Sequence, residues 1–135
     1  MRSAAAFCLV ALAVAGCGAA PKDSSKDFKG DERAVAAVVE NLESAARKDD
    51  EGKICTKLLT PSLLDTLKRQ GTTCKTAVRE ALKDTDSFDL QVDDVTIRGT
   101  KAIVQVTSGS GSNKKTDTLE LERIGNAWQI ASLGG

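Results

Sequence analysis

The hydrophobic pattern of this chain changes its period once, and that change restricts the fold more than any other feature of the sequence. Up to about Thr85 the apolar residues recur every three or four positions, which is typical of helices that bury one side. From Phe88 onward they alternate with polar residues, as in strands that bury one face. Helices first and strands second predict an α+β domain, with the helices packed on one face of an antiparallel sheet.

The first predicted helix is the longest and runs from about Glu32 to Lys48, with Asp31 as its N-cap. Its apolar stripe comprises Val35, Val38, Val39, Leu42, Ala45 and Ala46. A stripe of this width indicates a helix that packs along its whole length against the sheet.

Three shorter helices are predicted between the first helix and the sheet. The first of them covers residues 54–59 and is followed by Thr60 and Pro61, a strong signal for the start of another helix. That helix ends at Gly71, and the last one opens at Cys74 after a threonine cap.

Four strands are predicted after the change of period, joined in sequence order as a meander. Apolar residues alternate over 88–92 and again, in the opposite phase, over 95–97. One extra residue at Asp93–Asp94 restores a common face, which predicts a β-bulge and a bent strand. Gly125–Asn126 is typical of a tight turn before the last strand. The folded domain is expected to span residues 31–135.

The N-terminus combines a basic start, a short apolar run and small residues before a cysteine, as secretory signal peptides do. The run from Ala4 to Ala15 is shorter than the roughly 20 residues of a membrane-spanning helix. The letters "VAGC" at 14–17 resemble the lipobox of bacterial lipoproteins. The resemblance implies removal of residues 1–16, lipid on the Cys17 thiol and a place outside the cytoplasm, anchored to the cell membrane. The alternative is a plain signal peptide in which Cys17 is an ordinary thiol.

Residues 17–30 are polar and small, and we expect them to form a flexible tether between the lipid and the domain.

The lipoprotein interpretation also accounts for the cysteines. If Cys8 leaves with the signal peptide and Cys17 takes lipid, Cys55 and Cys74 remain, and an oxidising compartment favours a disulfide between them. Their spacing is not the C-x-x-C of a redox-active dithiol, and the chain has no histidine for a zinc site. No metal or other cofactor is predicted.

One long helix, several short ones and a bent sheet resemble the nuclear transport factor 2-like superfamily, also called cystatin-like or SnoaL-like, whose domains are cone-shaped. More narrowly, "ICTKLLTPSLLDTLKRQGTTCKTAVREAL" is similar to a group of bacterial, chiefly actinobacterial, lipoproteins of this fold. The resemblance covers about residues 31–133. It implies a fold and a lineage but no single activity, because the superfamily includes enzymes, binding modules and proteins of unknown role.

Enzymes of the superfamily, such as ketosteroid isomerase-like and polyketide cyclase-like proteins, imply an Asp or His base in the cone, often beside a Tyr. This chain contains neither His nor Tyr. An isomerase- or cyclase-type enzyme would have to use Asp93 or Asp94, which the predicted bulge could turn inward. The simpler interpretation is that both are solvated residues at a bend.

The favoured hypothesis is a non-enzymatic, lipid-anchored envelope protein whose cone binds an apolar small molecule or another envelope protein. The residues predicted to contact such a ligand are Trp128, Phe88, Val104 and Leu121. Nucleic acid is an unsuitable partner, because the 19 basic residues are matched by 19 acidic ones and aromatic residues are few. A third possibility is a module that only presents or braces a partner, with a filled cone and a binding patch on the convex side of the sheet.

Overall fold

The computed structural model describes residues 24–83, 88–109 and 111–134. The predicted signal peptide, Cys17 and residues 18–23 of the predicted tether lie outside these ranges. The helices are α1 (Gly30–Ala46), α2 (Glu51–Lys53), α3 (Pro61–Arg69) and α4 (Cys74–Lys83). Helix α2 continues directly into a π-helical turn, Ile54–Leu58, in which the Leu59 amide donates to the Ile54 carbonyl at 3.2 Å.

The second half of the chain forms one antiparallel sheet in the order β1-β2-β3-β4. Its strands are β1 (Leu90–Arg98), β2 (Lys101–Ser108), β3 (Lys115–Ile124) and β4 (Ala127–Ser132). The predicted α+β class and four-strand meander are therefore confirmed.

The predicted β-bulge lies where the change of phase placed it. Val92 pairs with Val106 and Asp94 pairs with Gln105, so Asp93 is the extra residue of β1. The bulge keeps the apolar residues on both of its sides on one face of the sheet. Gly125, at φ 62°, forms the predicted turn between β3 and β4, a conformation that other residues adopt only under strain.

The core lies between α1 and the inner face of the sheet. Val35 and Val39 of α1 belong to one buried cluster with Val104 of β2 and Ile130 of β4, and all four residues are 0% exposed. A side chain without accessible surface adjoins no cavity that could hold a water molecule. The centre of the domain is therefore filled by the protein's own side chains.

The start of α3 connects the helices to the last strand. The Thr60 hydroxyl accepts from the Leu63 amide at 3.2 Å, and the Thr60 amide donates to the Ile130 carbonyl at 2.9 Å. The predicted threonine cap is confirmed. The cap predicted for α1 is wrong: the helix begins at Gly30, and Asp31 lies within its first turn.

The prediction that a flexible tether extends to Gly30 is also wrong, because the chain joins the domain earlier. Residues Ser24–Asp27 form a 3-10 turn against α1 and β1, and Ser24 and Ser25 are buried. Small polar residues can be buried when their polar groups find partners, and composition alone does not reveal those partners.

Candidate functional site

The face of the sheet turned away from the helices is the most distinctive surface of the domain. We call it the outer face: Thr96, Arg98, Lys101, Ile103, Gln105, Thr118, Glu120, Glu122 and Ala131. A shallow groove of about 280 Å³ crosses it and is lined by Arg98, Lys101, Ile103, Glu120 and Glu122, among others. Strand alternation creates this face, because each residue that points to the core leaves its neighbours pointing outward.

The charges of the groove are separated by sign across the sheet. Arg98 and Lys101 are neighbours on β1 and β2, and Glu122 lies opposite Lys101 on β3, beside Glu120. None of these four side chains forms a hydrogen bond or ion pair with another residue in the ranges that the structure describes. The groove thus presents a basic side and an acidic side to solvent.

An apolar side chain lies between the two charged sides. Ile103 of β2 is 46% exposed, whereas its neighbours Ala102 and Val104 are buried in the core. In the register, Ile103 pairs with Thr96 on one side and with Glu120 on the other. Ile103 therefore exposes apolar surface between charged side chains of opposite sign that have no partner among the described residues.

The four residues predicted to contact a ligand are not arranged around an open pocket. Val104 and Leu121 are 0% and 1% exposed, and of these two only Leu121 is among the residues that line the outer-face groove. Trp128 is largely buried, and Phe88 is half-buried against the core. Strand alternation placed these residues inward correctly, but inward positions here form the core.

Trp128 has one polar feature that the core does not satisfy. Its indole N–H is buried and has no hydrogen-bond acceptor among the residues that the structure describes, and the Arg123 guanidinium lies 5.8 Å from the ring centroid. An unpartnered donor of this kind costs stability.

The enzyme alternative requires Asp93 or Asp94 inside a deep cavity, and the structure places both on the surface. Asp93 and Asp94 are both exposed. The Thr107 hydroxyl donates to Asp93 at 2.6 Å, and the Thr96 hydroxyl donates to Asp94 at 3.3 Å. The bulge therefore turns both carboxylates toward solvent and threonine neighbours.

The disulfide predicted between Cys55 and Cys74 is present, with the two Cα atoms 5.9 Å apart. It joins the π-helical turn to the first residue of α4 and is structural in its setting. Cys17, the predicted lipid attachment residue, lies outside the described residues. Among residues 24–83, 88–109 and 111–134, no group of three His, Cys, Asp or Glu side chains could hold a metal ion. No helix in this part of the chain has the length and hydropathy needed to cross a membrane.

Sequence reasoning missed a buried carboxylate on α1. Glu43 is 6% exposed and pairs with Arg47 at 2.7 Å, and Arg47 also pairs with Asp89 ahead of β1. Burial raises the pKa of the Glu43 carboxyl, although the charge of Arg47 and the amide of Leu90 oppose the rise. The signal was a glutamate four positions after Val39, on the buried stripe, with an arginine four positions further on. These contacts connect α1 to the start of the sheet.

Comparison with known proteins identifies the fold and nothing finer. No protein-family model matches the chain, and no curated protein matches it. A SEC-C motif containing protein from Rhodopseudomonas palustris is similar in structure, with a TM-score of 0.54 at 14% identity over 72% of this chain and 74% of that one.

Two further structures are less similar. An NTF-2 like protein of unknown function from Shewanella oneidensis has a TM-score of 0.47 at 12% identity, over 73% of this chain and 92% of its own. A de novo designed NTF2 fold protein has a TM-score of 0.48 at 16% identity, over 84% and 87% of the two chains. Likeness at these identities concerns the path of the backbone and says nothing about activity.

Proposed function

We propose that this protein is a non-enzymatic, lipid-anchored protein of the bacterial cell envelope, with a nuclear transport factor 2-like domain whose outer face binds a protein partner. The lipid anchor rests on the lipobox-like "VAGC" that ends at Cys17. The absence of an enzymatic role rests on the lack of His and Tyr in the sequence and on the exposure of Asp93 and Asp94.

The choice of a protein over a small molecule depends on one observation: the inner side of the sheet is packed, and the groove is on the outer face. Val104, Leu121 and Ile130 are at most 1% exposed, so a ligand there would have to displace core side chains. Ile103 and the unpaired charges beside it are already accessible. This combination corresponds to a module that presents or braces a partner.

The chemistry of the groove defines the partner surface. It should offer an apolar side chain for Ile103, carboxylates for Arg98 and Lys101, and cations for Glu120 and Glu122. A second copy of this chain, rotated by a half turn about an axis parallel to the strands, also places acidic groups over basic ones. The experiment below distinguishes the two cases by the mass of the product.

The anchor is tested by metabolic labelling with an alkyne fatty acid. The natural protein and Cys8→Ala should carry the label, and Cys17→Ala should not. Cys8→Ala is the matched control, because it removes the other N-terminal cysteine and leaves the proposed attachment residue intact. Equal labelling of the two variants would refute the anchor on Cys17.

The partner surface is tested with a photo-crosslinking residue placed in living cells. At Gln105, on the outer face, it should give a defined protein adduct that is lost when Ile103→Asp is added. At Lys75, an exposed residue of α4, it should give none. An adduct of twice the monomer mass identifies a second copy, and a larger or smaller one identifies another protein. Equal patterns from Gln105 and Lys75 would refute the outer face as the binding surface.

A further inference from the structure

The chain is fixed to the domain at Ser24 by two contacts to different elements. The Ser25 amide donates to the Glu40 carboxylate of α1 at 2.6 Å. The Ser24 hydroxyl accepts from the Val92 amide of β1 at 3.3 Å, in a buried position. The two serines are 6% and 7% exposed, and Phe28 packs against the core behind them. We call Ser24, Ser25 and their two partners the N-terminal clamp.

The clamp lies at one particular edge of the sheet. Strand β1 is the outermost strand on its side, so the Val92 amide that bonds Ser24 points away from the ladder with β2. The opposite edge, β4, is covered by the segment that leads into α3, through the bond from Thr60 to Ile130. The two edges of the sheet are therefore distinguished by what covers them, and the chain leaves toward the N-terminus from the edge of β1.

The remaining distance to the proposed lipid is short. Cys17 and Ser24 are seven residues apart in the sequence. A chain of this length spans at most about 25 Å in any conformation. A compact domain of about 100 residues has a radius of gyration of about 13 Å and is about 34 Å across, so the segment from Cys17 to Ser24 is shorter than the domain itself.

Resting on the proposed attachment of lipid to Cys17, we propose that the clamp holds the β1 edge of the sheet toward the bilayer surface. The sheet then stands on that edge, with β4 and α3 away from the membrane and the outer face directed sideways. A partner held at the same membrane would meet Ile103 and the charges beside it without the domain having to turn over.

In this proposal the orientation of the domain is set by the short segment between Cys17 and Ser24 and not by electrostatic attraction to the membrane. The exposed residues that follow the clamp alternate in sign, with Lys26, Asp27, Lys29 and Asp31, so they do not form the basic cluster that anionic lipids attract. Attraction to anionic headgroups is therefore not part of the proposal, and the test below uses neutral vesicles.

The test measures distance from the membrane at two labelled positions. The purified lipoprotein is reconstituted in phosphatidylcholine vesicles that carry a headgroup acceptor dye. One variant has Gln91→Cys in β1, and the other has Ser62→Cys at the start of α3, both exposed positions. Because Cys17 is alkylated by lipid and Cys55 is bonded to Cys74, the introduced thiol is the one that takes the donor dye.

We expect the fitted distance to the acceptor plane to be shorter for Gln91→Cys than for Ser62→Cys, by about 14 Å or more, which is the width of three interstrand spacings. Ten Gly and Ser residues inserted after Pro21 should abolish that difference. The same ten residues inserted after Ser112, in the exposed tip between β2 and β3, should leave it unchanged and serve as the matched control.

If the two labels lay at equal distances from the acceptor plane in the protein without an insertion, the proposed orientation would be wrong, whereas the lipid anchor on Cys17 would be unaffected. Failure of the protein to float with the vesicles would overturn the anchor on Cys17, and the orientation with it. The two failures are therefore distinguishable.

Discussion

Removal of the Cys55–Cys74 disulfide tests how the short helices are held on the domain. The bridge joins the π-helical turn to the first residue of α4 and spans 19 residues of sequence. Helix α4 contributes a single buried side chain, Val78, so little apolar area holds it in place. We therefore expect α4 to be the first element to lose its structure when the cross-link is removed.

The size of the effect follows from the loop that the bridge closes. The bridge lowers the conformational entropy of the unfolded chain. For a loop of 19 residues, the chain-entropy relation gives a contribution of about 3 kcal/mol to the free energy of unfolding at 25 °C. For a domain of about 100 residues, a loss of this size lowers Tm by about 12 °C or more.

Urea unfolding of the oxidised protein, the reduced protein and the double variant Cys55→Ala/Cys74→Ala measures this loss. The reduced protein and the double variant should have the same free energy of unfolding, and this value should be lower than that of the oxidised protein. Hydrogen exchange should show that amides of α4 lose protection before those of β2. An unfolding free energy that does not change on reduction, or a uniform loss of protection in α4 and β2, would refute the reasoning.

Three further substitutions have definite expected outcomes. Thr60→Val removes the α3 cap and should lower the unfolding free energy by about 1 kcal/mol in urea titrations, whereas Thr118→Val on the outer face should change it little. Because the pKa of Glu43 is raised, the folded protein binds that proton more tightly than the unfolded chain, and the associated stability is lost as the pH rises through the folded pKa. The unfolding free energy of the natural protein, relative to Glu43→Gln, should therefore fall as the pH rises above 4.5, the usual pKa of a glutamate, and a relative rise in urea titrations over that range would contradict the assignment. Trp128→Phe should cost less than about 1 kcal/mol in thermal unfolding, because the smaller ring also removes an unsatisfied N–H, whereas Ile130→Ala should cost about 2–5 kcal/mol.

The order and type of the elements could be predicted from the sequence because they depend on local spacing. The stripe of α1, the Thr60–Pro61 start of α3 and the extra residue at Asp93 are all visible within windows of a few residues. Each reflects a geometric period, 3.6 residues in a helix and two in a strand, which the chain carries wherever it is placed.

The boundary of the domain and the partners of its polar groups required the tertiary structure. Ser24 and Ser25 look like tether residues until the free edge of β1 and the carboxylate of Glu40 are brought beside them. Glu43 pairs with Arg47 only four residues away, but Arg47 in turn contacts Phe88 and Asp89, which lie 41 and 42 residues further along the chain.

The core of the sheet also shows which properties can be predicted from the sequence and which depend on the tertiary structure. The alternation of the strands determined that Val104 and Leu121 point inward and Ile103 outward, and this could be read from the sequence alone. Whether the inward side chains enclose a space or fill it depends on how closely α1 approaches the sheet, which only the folded chain decides. The physical reason is that periodicity is a property of neighbouring residues, whereas packing and pairing depend on distances between residues far apart in the chain.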